Sequence, residues 1–253
     1  LTVKAINYYL SFGIKPTVKK ILSVLVSKYA PKKLFLENKD KGINDIPEIN
    51  TINTENKSQD YADYLKIQIK TSVSRTRYIN PLKRFIQSRS QLIERLTKTA
   101  KNHNLKFKSI LSVGSRDDNE LDNISCFFPK AEVRGLDLFS ASPRITTGDM
   151  HNMPFDDNSF DATIAIHSME HSYDPSKSLG EMFRVTKEGG VICIEVPVCF
   201  ETNETDRTDY KNLLNLLSFF KKDSIEVLWE ELENRESFSK PPNLRVIVQK
   251  IAS

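Results

Sequence analysis

Ile110–Asp137, ILSVGSRDDNELDNISCFFPKAEVRGLD, is the stretch from which the rest of the chain can be read. An apolar run ends at Val113, and Gly114 opens a polar turn. A helical segment follows, then a second apolar run that ends on Asp137. Strand, glycine turn, helix, strand and terminal acid, in that order, make up a nucleotide-binding βαβ unit. A glycine lets backbone come close to a ligand, and a carboxylate at the next strand tip can accept hydrogen bonds from ribose hydroxyls. Only one of the usual three glycines is present, so this unit alone is a weak signal.

Outward from it, the 109–253 region alternates short apolar strands with helices. The spacing predicts strands at 109–113, 132–137, 161–166, 191–196, 225–231 and 243–251, with helices at 117–126, 175–186 and 208–221. This alternation defines an α/β fold, doubly wound, with a mainly parallel sheet covered on both faces. The last two strands lack room for a helical crossover, so they are expected to pair antiparallel.

The 253 residues, 39% hydrophobic and 28% charged, describe an ordinary globular composition. No apolar run approaches the ~20 residues of a membrane span, no signal peptide is visible, and a cytoplasmic location is expected. The chain begins at Leu1, not Met, so a natural N-terminus lying further upstream is left open. The three cysteines show no metal spacing; Cys126 and Cys193 lie in apolar runs and read as buried thiols. Charge is uneven. Residues 1–108 hold 22 Lys and Arg against 8 Asp and Glu, whereas 109–253 hold 15 against 25. Such asymmetry fits either an anionic partner or solvated helical faces.

The N-terminal part divides into a basic helical segment at 1–37, a polar Asn-rich linker at 38–60 and a helical lid region at 61–108. Leu65, Ile67 and Ile69 alternate as a strand would, but Tyr61, Leu65, Ile69 and Val73 also line one helix face, and helix is the favoured reading. A second helix is expected from Pro81 to about His103, and His103 itself reads as exposed. Arg75, Arg77, Lys83, Arg84 and Arg89 interleave with Tyr61, Tyr64, Tyr78 and Phe85.

Four motifs together resemble the class I S-adenosylmethionine-dependent methyltransferases, small-molecule type. They are ILSVG at 110–114, VRGLDLF at 133–139, GDMHNMPFDDNSFDATIAIHSMEH at 148–171, and LGEMFRVTKEGGVICIEVP at 179–197. The resemblance implies a Rossmann-like methyltransferase domain at 109–253 with an antiparallel C-terminal strand and an N-terminal helical extension. It also implies S-adenosylmethionine as cofactor. Gly114, Ser115 and Arg116 would form the turn at its methionine part. Asp137 would hold the ribose, Leu138 would pack on adenine, and Asp149 would accept the adenine amino group with Met150 beside it. His167 would face the methionine end.

Two departures stand out. Ser112 occupies a position that is commonly acidic, and Arg116 and Asp118 replace the second and third glycines. Either Arg116 pairs with the cofactor's carboxylate, or the cleft has lost tight cofactor binding. His167, Glu170 and His171 form H-x-x-E-H, the catalytic candidates. The segment partially resembles the E-x-x-E-H of ubiquinone-pathway O-methyltransferases, where it holds a divalent metal. With His167 in place of the first Glu, a magnesium-like ion is disfavoured and zinc is better suited. The other readings are a metal-free general base at His167 or His171, and Glu170 and His171 merely capping and orienting the loop; whether a metal is used stays open. His151 and Tyr173 are candidates to line the same cleft. The expected reaction is methyl transfer to an oxygen, ahead of nitrogen, of a small polar or anionic acceptor such as a sugar or phosphorylated metabolite. The alternatives are a non-catalytic scaffold subunit and an RNA methyltransferase.

Overall fold

The computed structural model describes residues 50–51, 57–78, 91–116, 118–140, 142–221, 223–233 and 241–251. The expected helices at 1–37, most of the linker, and the Pro81–Arg89 part of the second lid helix lie outside the described residues, as do the side chains of Arg75 and Arg77. Residues from Asn50 onward form one compact unit.

Strands β1 (Asn50–Thr51) and β4 (Phe139–Ser140) pair as a small antiparallel ladder. The main sheet contains β2 (Ser109–Val113), β3 (Glu132–Asp137), β5 (Ile145–Thr147), β6 (Phe160–Ile166), β7 (Thr186–Pro197), β8 (Ile225–Leu232) and β9 (Asn243–Lys250). Their spatial order is β5-β3-β2-β6-β7-β9-β8. All are parallel except β9, which runs antiparallel between β7 and β8. The expected antiparallel pairing of the last two strands is therefore found. From β2 the chain builds outward through β3 and β5, then returns to add β6 on the other side. The switch point between β2 and β6 opens a crevice at the strands' carboxyl ends.

Helices α1 (Gln59–Tyr78), α2 (Gln91–Asn102), α3 (Asp118–Phe127), α4 (Pro175–Val185) and α5 (Leu213–Leu217) surround this sheet. Leu92, Ile93 and Leu96 of α2 join Leu121 and Ile124 of α3 on one face of the sheet. On the other face, Leu179, Met182 and Val185 of α4 pack with Tyr210 and Leu216. The three-and-four spacing of each set makes these stripes, and replacing one such leucine by alanine typically costs about 2–5 kcal/mol. Helix α4 starts where its sequence says it should: Pro175 sits in the first turn, and the Asp174 side chain accepts from Lys177 N at 3.2 Å.

Several expectations change. The 208–221 helix shrinks to Leu213–Leu217 because Lys211 takes a left-handed φ of 59° and Asn212 caps a new start. Strands β4 and β5, at two and three residues, were too short to read from periodicity. Strand β7 begins at Thr186, opposite Phe160, and bulges before Val191 pairs with Ala162. Gly190 in that bulge has no room for a Cβ, which would lie 2.8 Å from the Asp161 carbonyl. Cys126 is exposed, not buried, since it falls on the outer face of α3, whereas Cys193 is buried as expected. His103 is exposed, as expected. No helix among the described residues is long and apolar enough to cross a membrane.

Candidate cofactor and acceptor cleft

The cleft lies over the switch point and is open to solvent at its mouth. Val113, Gly114 and Arg116 from the tip of β2 form one side, and Leu136, Asp137 and Leu138 from β3 another. Gly148 and Met150 follow β5; His167, Ser168 and His171 follow β6; and Tyr64, Gln68 and Ser72 of α1 close the top. Helix α1, which precedes β2 in the chain, thus covers the cleft.

Hydrogen bonds between neighbouring strand tips hold this rim. Gly114 N donates to Leu136 O at 2.7 Å, His167 N to Glu195 O at 2.9 Å, and the Ser168 hydroxyl to Val113 O at 2.8 Å. Gly114 has φ 86°, and a Cβ there would come within 2.4 Å of Ser168 Cβ. Packing against Ser168, in addition to any ligand, requires the glycine.

The altered turn is accommodated by its neighbours. Glu120 of α3 accepts hydrogen bonds from the Ser112 and Ser115 hydroxyls, the latter at 2.9 Å, so a carboxylate stands beside the strand tip although position 112 is serine. Asp118 turns away to accept from Ser142 at 2.8 Å and to meet Arg144 at 3.3 Å. Ser115 is buried and its side chain points into this cluster; Arg116 reaches the cleft.

Asp137 lies at the end of β3, 9% exposed. Burial raises its pKa to about 6, against the opposing pull of the Arg116 charge and backbone N–H groups of Phe139 and Leu138. Asp149 is placed differently from the expectation. It is absent from the cleft lining, and protein groups engage both of its oxygens: Tyr61 OH at 2.8 Å, Lys57 Nζ at 3.1 Å, and the His151 backbone N and Nδ1 at 3.0 and 2.8 Å. Burial works against the ionised form, but these hydrogen bonds outweigh it and hold Asp149 well below the usual carboxylate range. His151 is buried on the other side of the same knot. Its Nε2 meets the Ser172 hydroxyl at 3.0 Å and the backbone N–H groups of Tyr173 and Asp174, both at 3.2 Å. Its Nε2 is therefore an acceptor, and Nδ1 donates to Asp149. Tyr173 packs against Tyr61 and Tyr64, outside the immediate lining.

His167, at φ 51°, stands between two buried carboxylates, with Glu170 Oε1 3.6 Å from Nδ1 and Glu195 Oε1 3.4 Å from Nε2. Burial disfavours the charged ring, but the two glutamates prevail and push its pKa up to about 10. Both glutamates thus favour the charged form of a ring whose side chain is 44% exposed. Glu170 is buried, with Oε2 lacking a hydrogen-bond partner. Among the described residues, no group of three His, Cys, Asp or Glu side chains is arranged to hold a metal ion. His171 Nδ1 meets Thr205 O at 3.0 Å and Asp206 Oδ1 at 2.9 Å.

Residues 121–194 match the family described as "Methyltransferase domain". A demethylmenaquinone methyltransferase of Paenarthrobacter aurescens is 49% identical over 77 residues, 30% of each chain, so less than a third of that relative is matched. A Burkholderia thailandensis 1,6-didemethyltoxoflavin-N1-methyltransferase, with 1,6-didemethyltoxoflavin and S-adenosylhomocysteine bound, superposes with a TM-score of 0.55 at 12% identity over 81% of this chain and 95% of its own. The [4+2]-cyclase SpnF, at TM-score 0.50 and 16% identity over 63% and 81% of the two chains, shares the fold as well. Sheet order, cleft and family match together define a class I fold of the S-adenosylmethionine-dependent methyltransferase type. Residues 121–194 are thus similar to a methyltransferase domain, within a fold of that class.

Of the expected site residues, Gly114, Arg116, Asp137, Leu138, Met150, His167 and His171 line the cleft, while Ser115, Asp149 and Glu170 stand behind it. Tyr61 and Tyr64 were legible as aromatics of the lid region, Gln68 was not singled out, and Glu195 was legible only as a strand residue. Nothing in the polar stretch NETDRT, 203–208, pointed to Asp206.

Proposed function

We propose that this domain transfers the methyl group of S-adenosylmethionine to an oxygen, ahead of nitrogen, of a small polar acceptor. The buried carboxylate of Asp137 at the tip of β3, facing the Gly114 turn across the crevice, carries this reading. When bound, the cofactor supplies an electrophilic methyl group on a sulfonium. Asp137 accepts the ribose hydroxyls, Leu138 and Met150 flank the adenine, and Arg116 faces the carboxylate. Because Asp149 is occupied by its protein partners, the adenine edge is left to backbone around Met150. Catalysis rests on alignment, with His171 taking the acceptor's proton.

Calorimetric titration with S-adenosylmethionine tests this reading. Binding is expected, and Asp137→Ala is expected to weaken it by roughly 10–100-fold, since a hydrogen bond to a charged group contributes about 1.5–3 kcal/mol. No heat at millimolar cofactor from the folded protein would sink the enzyme reading; unchanged affinity in the variant would move the cofactor elsewhere.

A planar ring is the second reading of the acceptor. Tyr64 lines the cleft and offers it an aromatic ring, with the Arg207 guanidinium 5.7 Å from that ring. The demethylmenaquinone methyltransferase relative adds weight to it. Labelled methyl transfer to a short-chain quinol, run beside a sugar phosphate, separates the two.

A further inference from the structure

We infer that Asp206 is a positioning residue that makes His171 the proton acceptor of the cleft. The inference rests on the proposed reading of His171 and supplies what that reading lacked, a reason for one nitrogen to be free. His171 lines the cleft. Its Nδ1 lies 2.9 Å from Asp206 Oδ1 and 3.0 Å from Thr205 O. A carboxylate and a carbonyl can only accept, so in the neutral ring the proton sits on Nδ1 and the lone pair on Nε2. The acceptor's hydroxyl proton would then pass to Nε2 as its oxygen bonds the methyl carbon and the methyl–sulfur bond breaks, its electron pair staying on sulfur as a neutral thioether; Asp206 would stabilise the imidazolium so formed.

The loop that carries Asp206 is built to hold it there. Asp206 N donates to Asn203 Oδ1 at 2.9 Å, and Thr205 N to the same oxygen at 2.8 Å. Thr208 N donates to Glu170 O at 3.0 Å, and the Thr208 hydroxyl to Ser172 O at 3.0 Å, bracketing His171 on both sides. Gln68 of the lid donates to Thr205 O at 2.9 Å. His167, four residues earlier, lies between two glutamates that favour its charged form, so His171 is the better placed proton acceptor.

The test uses the full chain labelled with 15N-histidine. With four histidines, Gln substitution at position 171 identifies the His171 signals by their loss. Two-bond 1H–15N correlations at a pH where the ring is neutral are expected to show protonation at Nδ1 in the wild type. Asp206→Ala is expected to shift the population toward the Nε2–H form, and Asp206→Asn, which keeps the loop's shape, to do so less. Acylation of His171 by diethyl pyrocarbonate, which needs the free lone pair, is expected to slow several-fold in Asp206→Ala. An Nε2–H ring in the wild type, or a tautomer and acylation rate unmoved by both variants, would overturn the inference. S-Adenosylmethionine affinity, measured on the same samples, reports the cofactor reading separately and is expected to be the same in wild type and Asp206→Ala.

Discussion

At position 137 two demands pull against each other. A ligand site needs the carboxylate at the strand tip, while burial there disfavours its charge and brings its pKa to about 6. The folded-state value is raised above the unfolded one, so the native protein binds the proton more tightly. Asp137 therefore lowers stability as pH rises from about 4 to about 6. Cofactor binding runs the other way, because ribose hydroxyls are best accepted by the ionised group. At pH 5 only about a tenth of the group would be ionised, and the calorimetric affinity for S-adenosylmethionine is expected to fall by up to roughly tenfold between pH 7 and pH 5. In Asp137→Asn that part of the pH dependence should vanish. Asp149 has the opposite sign: its depressed pKa contributes stability above the unfolded value near 4 and is lost only in stronger acid.

At the scale of elements, α1 owes its place to a few polar contacts made by a helix with little apolar face. Leu65 is buried, but Tyr61, Tyr64 and Gln68 reach Asp149, His171 O and Thr205 O respectively. Tyr61→Phe keeps the ring and removes the hydroxyl that Asp149 and His151 share. It is expected to cost about 1–3 kcal/mol in denaturant unfolding, with faster amide exchange concentrated in 59–73. The helix itself was legible from the spacing of Tyr61, Leu65, Ile69 and Val73. Its anchor points were not, because each lies on another element, at separations of 88 residues for Tyr61 to Asp149 and 137 for Gln68 to Thr205. The same limit explains the 208–221 segment. Its apolar residues suggest one helix, but a left-handed Lys211 and an Asn212 cap break it.

Across the whole molecule, charge runs from the cleft to the far edge of the sheet. His167 meets Glu195, Glu195 meets Arg245 at 3.1 Å, and Arg245 meets Glu231 at 3.1 Å on β8. Glu195 and Arg245 are almost fully buried, with side chains 4% and 5% exposed. Arg245→Met keeps the volume but leaves Glu195 without its main partner. It is expected to destabilise by about 3–5 kcal/mol, a large part of the roughly 5–15 kcal/mol typical of a domain, read as a fall in the urea midpoint.

The sequence by itself determined the strand–helix alternation, the Gly114 turn, Asp137 at a strand tip and the methyltransferase resemblance of 148–197. These are local: side-chain period and turn chemistry are written in neighbouring residues. Only the tertiary structure decided that Asp149 is taken up by Tyr61, Lys57 and His151, that Glu120 brings a carboxylate to Ser112, and that Glu170 and Glu195 flank His167. It also brought Asp206 to His171, the contact on which the proposed base depends. Each of these is a matter of proximity and burial between separate elements, and the charge state of a side chain follows from the groups folded against it.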